Sequence, residues 1–173
     1  MKNIRIIILA VCVACSACIW ATETVTTEEF DVMYKASPAT IVVDGSVGTT
    51  PFTTYTLAGS PARFYVYNSY ICACLESTNA TMTTGAIPDL KKVQMTYYGA
   101  NDYTFSYSTD GSNWITLTHD ADLSINGNRV YILPASGTYY LRVKRGGSNV
   151  YVKTMKYTTE PSCNCLRLDI QNN

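Results

Sequence analysis

Apolar and polar residues alternate in the middle of the chain, which is the pattern of half-buried β-strands. In residues 103–108 aromatic residues alternate with Thr and Ser, and residues 114–117 form a second short apolar stretch. Asp110 and Gly111 lie between the two stretches, and glycine permits the positive φ of a tight turn. Because successive side chains on a strand point to opposite faces of the sheet, the whole segment predicts a β-hairpin.

The alternation continues on both sides of this hairpin. Val93, Met95 and Tyr97 share one face of a predicted strand over residues 91–98. Three more strands are predicted at residues 129–133, 137–144 and 149–158. Turn residues separate these strands and no helical period lies between them, so the pattern favours an antiparallel β-sandwich over a parallel sheet.

The first half of the chain has weaker strand patterns. Short strands are predicted at residues 30–34, 40–43 and 53–57. Residues 63–75 predict two strands that are broken by Asn68 and Ser69; a helix over residues 70–76 is the alternative, which the β-branched and aromatic content disfavours. Residues 76–85 are polar without a helical period and predict a surface connection.

The composition indicates one domain and no polyanionic partner. The 173 residues include 13 basic and 13 acidic side chains, so the formal net charge is zero. Without a basic cluster, neither nucleic acid nor an anionic lipid surface is expected as a partner. The length suits one core. We predict a flexible lead-in at residues 22–29, a single β-sandwich domain at residues 30–168 and a frayed tail at residues 169–173.

Residues 1–21 have the order of a secretory signal segment. Two basic residues precede an apolar run at residues 6–13, and small residues follow it. This run is shorter than the roughly 20 apolar residues that span a membrane. Two processing routes remain open, a cut that leaves a lipidated Cys18 or ordinary cleavage near Ala17 or Ala21. Both place the protein outside the cytoplasm, as a secreted, periplasmic or cell-surface protein that meets the membrane only when lipidated.

Four cysteines beyond this segment form two pairs with the same spacing, Cys72 with Cys74 and Cys163 with Cys165. If each pair lies on a strand, its thiols share one face, and two antiparallel strands allow bonds such as Cys72–Cys165 and Cys74–Cys163. The alternative is a metal site with four thiolates. Zinc ligands are usually spaced by two or more residues and an oxidising compartment favours disulfides, so we predict structural disulfide bonds.

Four ordered segments of the chain resemble a known family. They are IPDLKKVQMTYYG, YTFSYSTDGSNWITL, GTYYLRVKRGG and VYVKTMKY. Over about residues 78–158 the chain resembles the jelly-roll β-sandwich modules of secreted Bacteroidetes proteins. Such modules are often attached to polysaccharide lyases and glycoside hydrolases and are related in shape to carbohydrate-binding modules. The resemblance implies an all-β fold of the jelly-roll type, an extracytoplasmic location and a glycan partner.

Aromatic and basic residues at outward strand positions form the candidate ligand-binding set. Aromatic rings stack on the apolar faces of sugars, while Arg and Lys hydrogen-bond the hydroxyls. An inward-facing set at positions 139, 141 and 143 directs the intervening residues outward. We predict ligand binding by Tyr98, Trp114, Tyr140, Arg142 and Lys144. The alternative is that these rings only pack in the core or at its rim.

Other chemistry is sparse. Asp120 and Asp122 offer oxygen ligands that suit calcium, although two Asp residues in a polar loop also suit simple solvation, and no other cofactor is predicted. Asp110 and Asn113 are expected to complete the hairpin turn through side-chain bonds to the backbone. His119 is the one histidine and has no nucleophile motif beside it, so no catalytic residue is predicted.

Together these observations predict a non-catalytic β-sandwich protein, secreted or exposed on the surface, that binds a polysaccharide or a glycoprotein glycan through exposed aromatic residues. The alternative is an envelope structural or adhesive protein that mediates protein–protein contacts. A small hydrolase or lyase is disfavoured because the sequence shows no acid–base pair.

Overall fold

The computed structural model describes residues 22–30, 47–49 and 52–160, and strands dominate this part of the chain. The described residues contain eleven strands: β1 (Thr24–Glu29), β2 (Val47–Thr49), β3 (Thr54–Ala58), β4 (Ala62–Tyr67), β5 (Tyr70–Leu75), β6 (Thr81–Thr84), β7 (Ile87–Gly99), β8 (Tyr103–Ser108), β9 (Ile115–Thr116), β10 (Asn128–Arg145) and β11 (Val150–Thr159). Within the same ranges, no helix has the length and apolar character needed to cross a membrane.

The strands form two sheets that pack face to face. Sheet I has the order β4-β5-β11-β7-β10, and β1 also pairs with β11. Sheet II has the order β2-β3-β6-β10-β8-β9. Every pairing between these strands is antiparallel. The all-β antiparallel β-sandwich that the alternation predicts is therefore confirmed.

Strand β10 belongs to both sheets. Its first half pairs with β7 in sheet I, and residues 140–145 pair with β8 in sheet II. The pairing with β7 is interrupted between Ile132 and Gly137. Pro134 lies in this interruption, where its missing N–H breaks no ladder bond. The two strands that the sequence predicts here are therefore one long strand, bent at a bulge as it changes sheet.

The strand order is that of a jelly roll. From β5 onward, consecutive strands are arranged as β5-β11-β7-β10 in sheet I and β6-β10-β8-β9 in sheet II. These eight segments, with both halves of β10 counted, are the two Greek keys of the fold. The four earlier strands extend it: β4 lies beside β5, β3 lies beside β6 with β2 beyond it, and β1 pairs with the end of β11 that β5 leaves open.

The core lies between the inner faces of the two sheets. Val93, Met95 and Tyr97 are buried on β7, as their alternation predicts. Leu141 and Val143 are also buried, so the residues between them on β10 face outward as expected. Each large apolar side chain that is removed from water contributes about 1.5–3 kcal/mol to folding. The largest fully buried side chains include Tyr55, Tyr97, Tyr157, Phe30 and Phe64.

Two hairpins are present, one formed by the two strands predicted over residues 63–75 and one that the sequence itself predicts over residues 103–117. Strands β4 and β5 pair along their whole length, and their two-residue turn places Asn68 and Ser69 at φ values of 50° and 70°. Positive φ at both turn residues matches the right-handed twist of the strands. This pairing excludes the alternative of a helix over residues 70–76. The hairpin of β8 and β9 is likewise present, with Tyr107 opposite Ile115.

The first described strand corrects one prediction. The sequence predicts a flexible lead-in at residues 22–29, but β1 pairs with β11 through six residues. Glu28 on this strand is buried, and its carboxylate accepts a hydrogen bond from the Tyr55 hydroxyl. The Tyr55 hydroxyl oxygen also lies 2.5 Å from that of Tyr157. These partners are distant in sequence, so the polar composition of the segment gave no indication of them.

Replacing Glu28 with Gln should flatten the pH dependence of stability. Burial raises the pKa of Glu28 above its usual value of 4.5. A raised pKa means that this group stabilises the fold below the unfolded pKa, and that this contribution is lost as the pH rises through the folded pKa. As the pH rises from the unfolded pKa through the folded pKa of Glu28, the melting temperature of the native protein should therefore fall by a few degrees more than that of the variant.

Thermal melts at a series of mildly acidic pH values test this expectation. Glu29→Gln is the matched control, because Glu29 is the exposed neighbour on the same strand. The control should follow the native protein. Equal slopes of melting temperature against pH for Glu28→Gln and Glu29→Gln would show that the buried carboxyl group does not control the dependence.

A second correction concerns residues 76–85, which the sequence predicts as a surface connection. Strand β6 lies there, between β3 and β10 in sheet II. Its Met82 and Thr84 side chains are buried, and the Thr84 hydroxyl accepts the N–H of Leu141 at 2.9 Å. A four-residue strand with three Thr residues has little hydrophobic contrast, so it resembles a polar loop until its partners are known.

Cys72 and Cys74 lie on the outer face of β5, so the two side chains share one face as predicted. Both are buried, together with Tyr151. Burial raises the pKa of the Cys74 thiol to about 12. Their predicted partners, Cys163 and Cys165, lie outside the described residues, and the disulfide pairing stays a prediction.

Several other predictions also fall on parts of the chain that the structure does not describe. They are the signal segment at residues 1–21 with Cys18, the strand at residues 40–43, nearly all of the strand at residues 30–34 and the tail at residues 169–173.

Candidate functional site

Four of the five predicted ligand-binding residues come together on the outer face of sheet II. Tyr140, Arg142 and Lys144 alternate along the second half of β10, and Trp114 reaches them from the β8–β9 hairpin. The guanidinium carbon of Arg142 lies 4.3 Å from the centroid of the Trp114 ring. We call the surface formed by these four residues the tryptophan face.

The hairpin turn that precedes Trp114 is held by one carboxylate. Asp110 accepts the backbone N–H groups of Ser112 and Asn113 at 2.8 Å, and the Asn113 side-chain amide at 2.6 Å. The backbone N–H of Asn113, followed by the other donors, holds the pKa of Asp110 well below its usual range. Gly111 has a φ of 75°. The predicted turn of Asp110 and Asn113 is thus confirmed, and it fixes the start of the segment that carries Trp114.

Tyr140 connects this turn to the sheet. It is paired with Ser108 of β8, whose hydroxyl donates to Asp110 at 2.8 Å and accepts the N–H of Gly111 at 3.0 Å. A Cβ added at Gly111 would lie 3.6 Å from the Tyr140 ring, so the ring packs against the turn. The aromatic members of the tryptophan face are therefore supported by a hydrogen-bonded turn rather than by a mobile loop.

The tryptophan face carries positive charge. Among the described residues, neither Arg142 nor Lys144 has a carboxylate partner, and the buried Nε of Arg142 has no hydrogen-bond acceptor. Partial burial lowers the pKa of Arg142, but a guanidinium remains protonated at neutral pH. Its contact with Trp114 is a cation–π interaction, worth about 0.5–1 kcal/mol at an exposed site.

Hydroxyl groups surround these charges. Arg142 lies between Thr83 of β6 and Ser106 of β8 in the ladder of sheet II. Other threonines at outward positions of the same sheet are Thr54, Thr56, Thr81 and Thr104. The surface thus combines an indole ring, two cations and a set of hydroxyl groups, which are the group types that bind sugars.

Tyr98, the fifth predicted residue, is separated from the other four. It lies on β7 in sheet I, so its side chain is on the opposite side of the sandwich from Trp114. The alternation along β7 correctly predicts that Tyr98 points outward. Alternation does not reveal which sheet a strand joins, and a surface shared by Tyr98, Trp114 and Tyr140 is therefore not present.

Around Tyr98 lies an aromatic surface that the sequence reasoning missed. The Tyr67 and Tyr151 rings stack at 3.7 Å and 7°, and Tyr98 lies 6.0 Å from Tyr67. The Lys153 ammonium lies 3.5 Å from the centroid of the Tyr70 ring. We call this surface the tyrosine cluster; its members are Tyr65, Tyr67, Tyr70, Tyr98 and Tyr151. Tyr65, Tyr67 and Tyr70 come together because of the two-residue turn at positions 68 and 69. That turn is the sequence signal that indicates their proximity.

The acidic loop does not assemble a larger ligand set. The Asp120 carboxylate accepts the N–H groups of Asp122 and Leu123 at 3.0 Å each, so it caps its own turn. Within residues 22–30, 47–49 and 52–160, no group of three or more His, Cys, Asp and Glu side chains is positioned to hold a metal ion. Calcium binding by Asp120 and Asp122 stays a prediction that the geometry does not strengthen.

His119 lies in a cleft that no local sequence pattern indicates. The cleft has a volume of about 220 Å³ and is lined by residues of β8, β10 and the segment that follows β9. His119 lines it together with Arg129 and Tyr131. These residues become neighbours only because the edges of the two sheets approach one another.

By its strand order, the molecule belongs to the class of antiparallel jelly-roll β-sandwiches. No protein-family model matches the chain, and no curated protein matches it. Several solved structures resemble its fold, and three of them illustrate the overlap with the chain. The K2 cleaved adhesin domain of Lys-gingipain has a TM-score of 0.48 at 13% identity, with 79% of this chain and 100% of that chain covered.

The second solved structure is a family two carbohydrate esterase from Cellvibrio japonicus, with a TM-score of 0.40 at 10% identity; the match covers 80% of this chain and 34% of that chain. The third comes from work on glycan recognition in the Ruminococcus flavefaciens cellulosome. Its TM-score is 0.39 at 18% identity, with 80% of this chain and 97% of that chain covered. At such low TM-scores and sequence identities, the similarity to these structures supports no conclusion about the ligand or activity of this protein.

Proposed function

We propose that the protein is a non-catalytic, extracytoplasmic carbohydrate-binding protein that holds a glycan on the tryptophan face. The observation that carries this proposal is the Trp114 indole fixed against Arg142 on a hydroxyl-rich sheet surface. The extracytoplasmic location rests on the secretory pattern of residues 1–21.

The arrangement suits sugar recognition in three ways. The indole offers an apolar surface to the C–H groups of a sugar ring, while Arg142 and Lys144 donate hydrogen bonds to its oxygens. The stacked guanidinium and the hydrogen-bonded turn hold Trp114 in place before binding, which reduces the entropy lost on association. The positive charge of Arg142 and Lys144, which no carboxylate of the described residues pairs with, also favours glycans that carry acidic groups.

Affinity electrophoresis of the purified protein through gels that contain plant, microbial or host polysaccharides tests the proposal. At least one polysaccharide should retard the protein, and free oligosaccharide of the same type should reverse the retardation. An acidic polysaccharide should retard it more than a neutral one. Unchanged mobility in every gel would remove the proposal.

An adhesive or structural role is the second candidate, and the tyrosine cluster favours it. Tyr65, Val66 and Tyr70 are 46%, 41% and 39% exposed on the β4–β5 hairpin. Among the described strands β4 pairs only with β5, so its outer edge is open to another chain. Size-exclusion chromatography and cross-linking on native envelopes test this role, and a species that is always monomeric and unattached counts against it.

A further inference from the structure

The cleft that contains His119 lies on the open side of the sandwich. Strand β9 is the outermost strand of sheet II there, and the first half of β10 is the outermost strand of sheet I. The segment after β9 crosses between them and contributes His119 to the lining. The cleft shares no residue with the tryptophan face, although Thr104 in its lining is paired with Lys144 of that face.

Aromatic rings form the floor of the cleft. Phe105 and Tyr131 stack with their centroids 3.8 Å apart and their planes at 9°, and both are buried. Tyr131 donates its hydroxyl to that of Tyr103 at 3.0 Å. Burial raises the pKa of Tyr131 to about 12, so this hydroxyl keeps its proton at neutral pH. Because the Phe105 and Tyr131 rings are each only 2% exposed, they close the base of the cleft, and the half-buried Tyr103 lies beside them in the lining.

Hydrogen-bond donors dominate the rim. Arg129 donates one N–H to the carbonyl of Ile125, and it has no carboxylate partner among the described residues. The Asn101 side-chain oxygen accepts the Tyr97 hydroxyl, which leaves its amide N–H groups as donors. None of the described residues that line the cleft is acidic. A ligand that enters it meets several donors and a guanidinium that has no carboxylate partner in this part of the chain.

We propose that the cleft is a second binding site, which takes a single sugar residue that carries a carboxylate, of the hexuronic acid class. The volume of about 220 Å³ lies below the roughly 300–1,000 Å³ of pockets for drug-sized ligands, which suits one ring rather than a chain. A carboxylate matches the planar guanidinium of Arg129, and the hydroxyl groups of the sugar match the polar side chains of the lining, among them Asn101, Thr118 and His119.

Isothermal titration with D-glucuronate and D-galacturonate tests this site, with D-glucose and D-galactose as neutral probes. At least one uronate should bind, and its neutral counterpart should bind roughly tenfold more weakly or not at all. Arg129→Gln should weaken uronate binding by about tenfold or more, because it removes the charged fork. Lys92→Gln is the matched control, since it removes one positive charge from an outward position of sheet I, and it should bind like the native protein.

A Trp114→Ala variant separates this site from the proposed function. It should bind the uronate as the native protein does, whatever happens to polysaccharide binding. The site is overturned if neither uronate binds, if uronate and neutral sugar bind equally, or if Arg129→Gln retains native affinity. Loss of uronate binding in Trp114→Ala would also overturn it, because the ligand would then occupy the tryptophan face.

Discussion

Replacing Trp114 with alanine should weaken polysaccharide binding by about 2 kcal/mol, which is roughly 30-fold in the dissociation constant. The substitution removes the one indole of the tryptophan face and leaves Arg142 without the ring that positions it. Titration calorimetry with an oligosaccharide from the retarding polysaccharide measures the change. Folding should be little affected, because the contact is partly exposed.

Two further variants test whether the indole and the guanidinium stacked on it account for the loss of binding. Ile115→Ala is the matched control, because Ile115 is the neighbouring apolar residue and is 55% exposed; its affinity should stay native. Arg142→Lys keeps the charge but loses the planar guanidinium that stacks on the indole, so an intermediate loss is expected. If Trp114→Ala and Ile115→Ala bind equally well, the indole does not contact the ligand.

The largest stability loss is expected for Gly99→Ala, at about 3 kcal/mol or more. Gly99 ends β7 at a φ of 94°, and an added Cβ would lie 2.4 Å from the backbone carbonyl oxygen of Asn149. That oxygen accepts the N–H of Ala100 at 3.3 Å, so it cannot move without breaking the connection to β11. For a protein of this size the loss corresponds to roughly a 10 °C lower melting temperature.

Gly111→Ala separates the two causes of this loss, which are the positive φ and the close approach of the added Cβ to Asn149. Gly111 also has a positive φ, 75°, but the nearest atoms to an added Cβ belong to the Tyr140 ring at 3.6 Å, which is ordinary contact. Only the backbone conformation is then unfavourable, so a loss of about 1–2 kcal/mol is expected. Urea unfolding of both variants gives the comparison. Similar losses for the two would show that the close approach to Asn149 is not what requires glycine at position 99.

Local alternation was enough to predict which side chains lie inside. Positions 93, 95 and 97 of β7 and positions 139, 141 and 143 of β10 are buried, as the period of two requires. The cluster of Tyr140, Arg142 and Lys144 follows directly, because three alternate residues on one strand must share a face. Trp114 joins them because a hairpin brings β9 next to β8, and that hairpin also has a local signal.

Pairings between distant segments were not predictable in this way. Tyr98 and Trp114 both occupy outward positions, yet the strand order places them on different sheets. Strands β1 and β6 have no clear local pattern, because their threonine-rich sequences become strands only through partners elsewhere in the chain. The cleft around His119 has the same origin, since its walls come from the edges of both sheets.

A glycan on the outer face of sheet II should perturb a defined set of NMR resonances. These are mapped by amide and indole chemical shifts of the native protein, titrated with an oligosaccharide from the retarding polysaccharide. The largest shifts should occur at the Trp114 indole N–H and at Thr83, Ser106 and Lys144. Shifts confined to the tyrosine cluster around Tyr98, on the opposite sheet, would contradict this expectation.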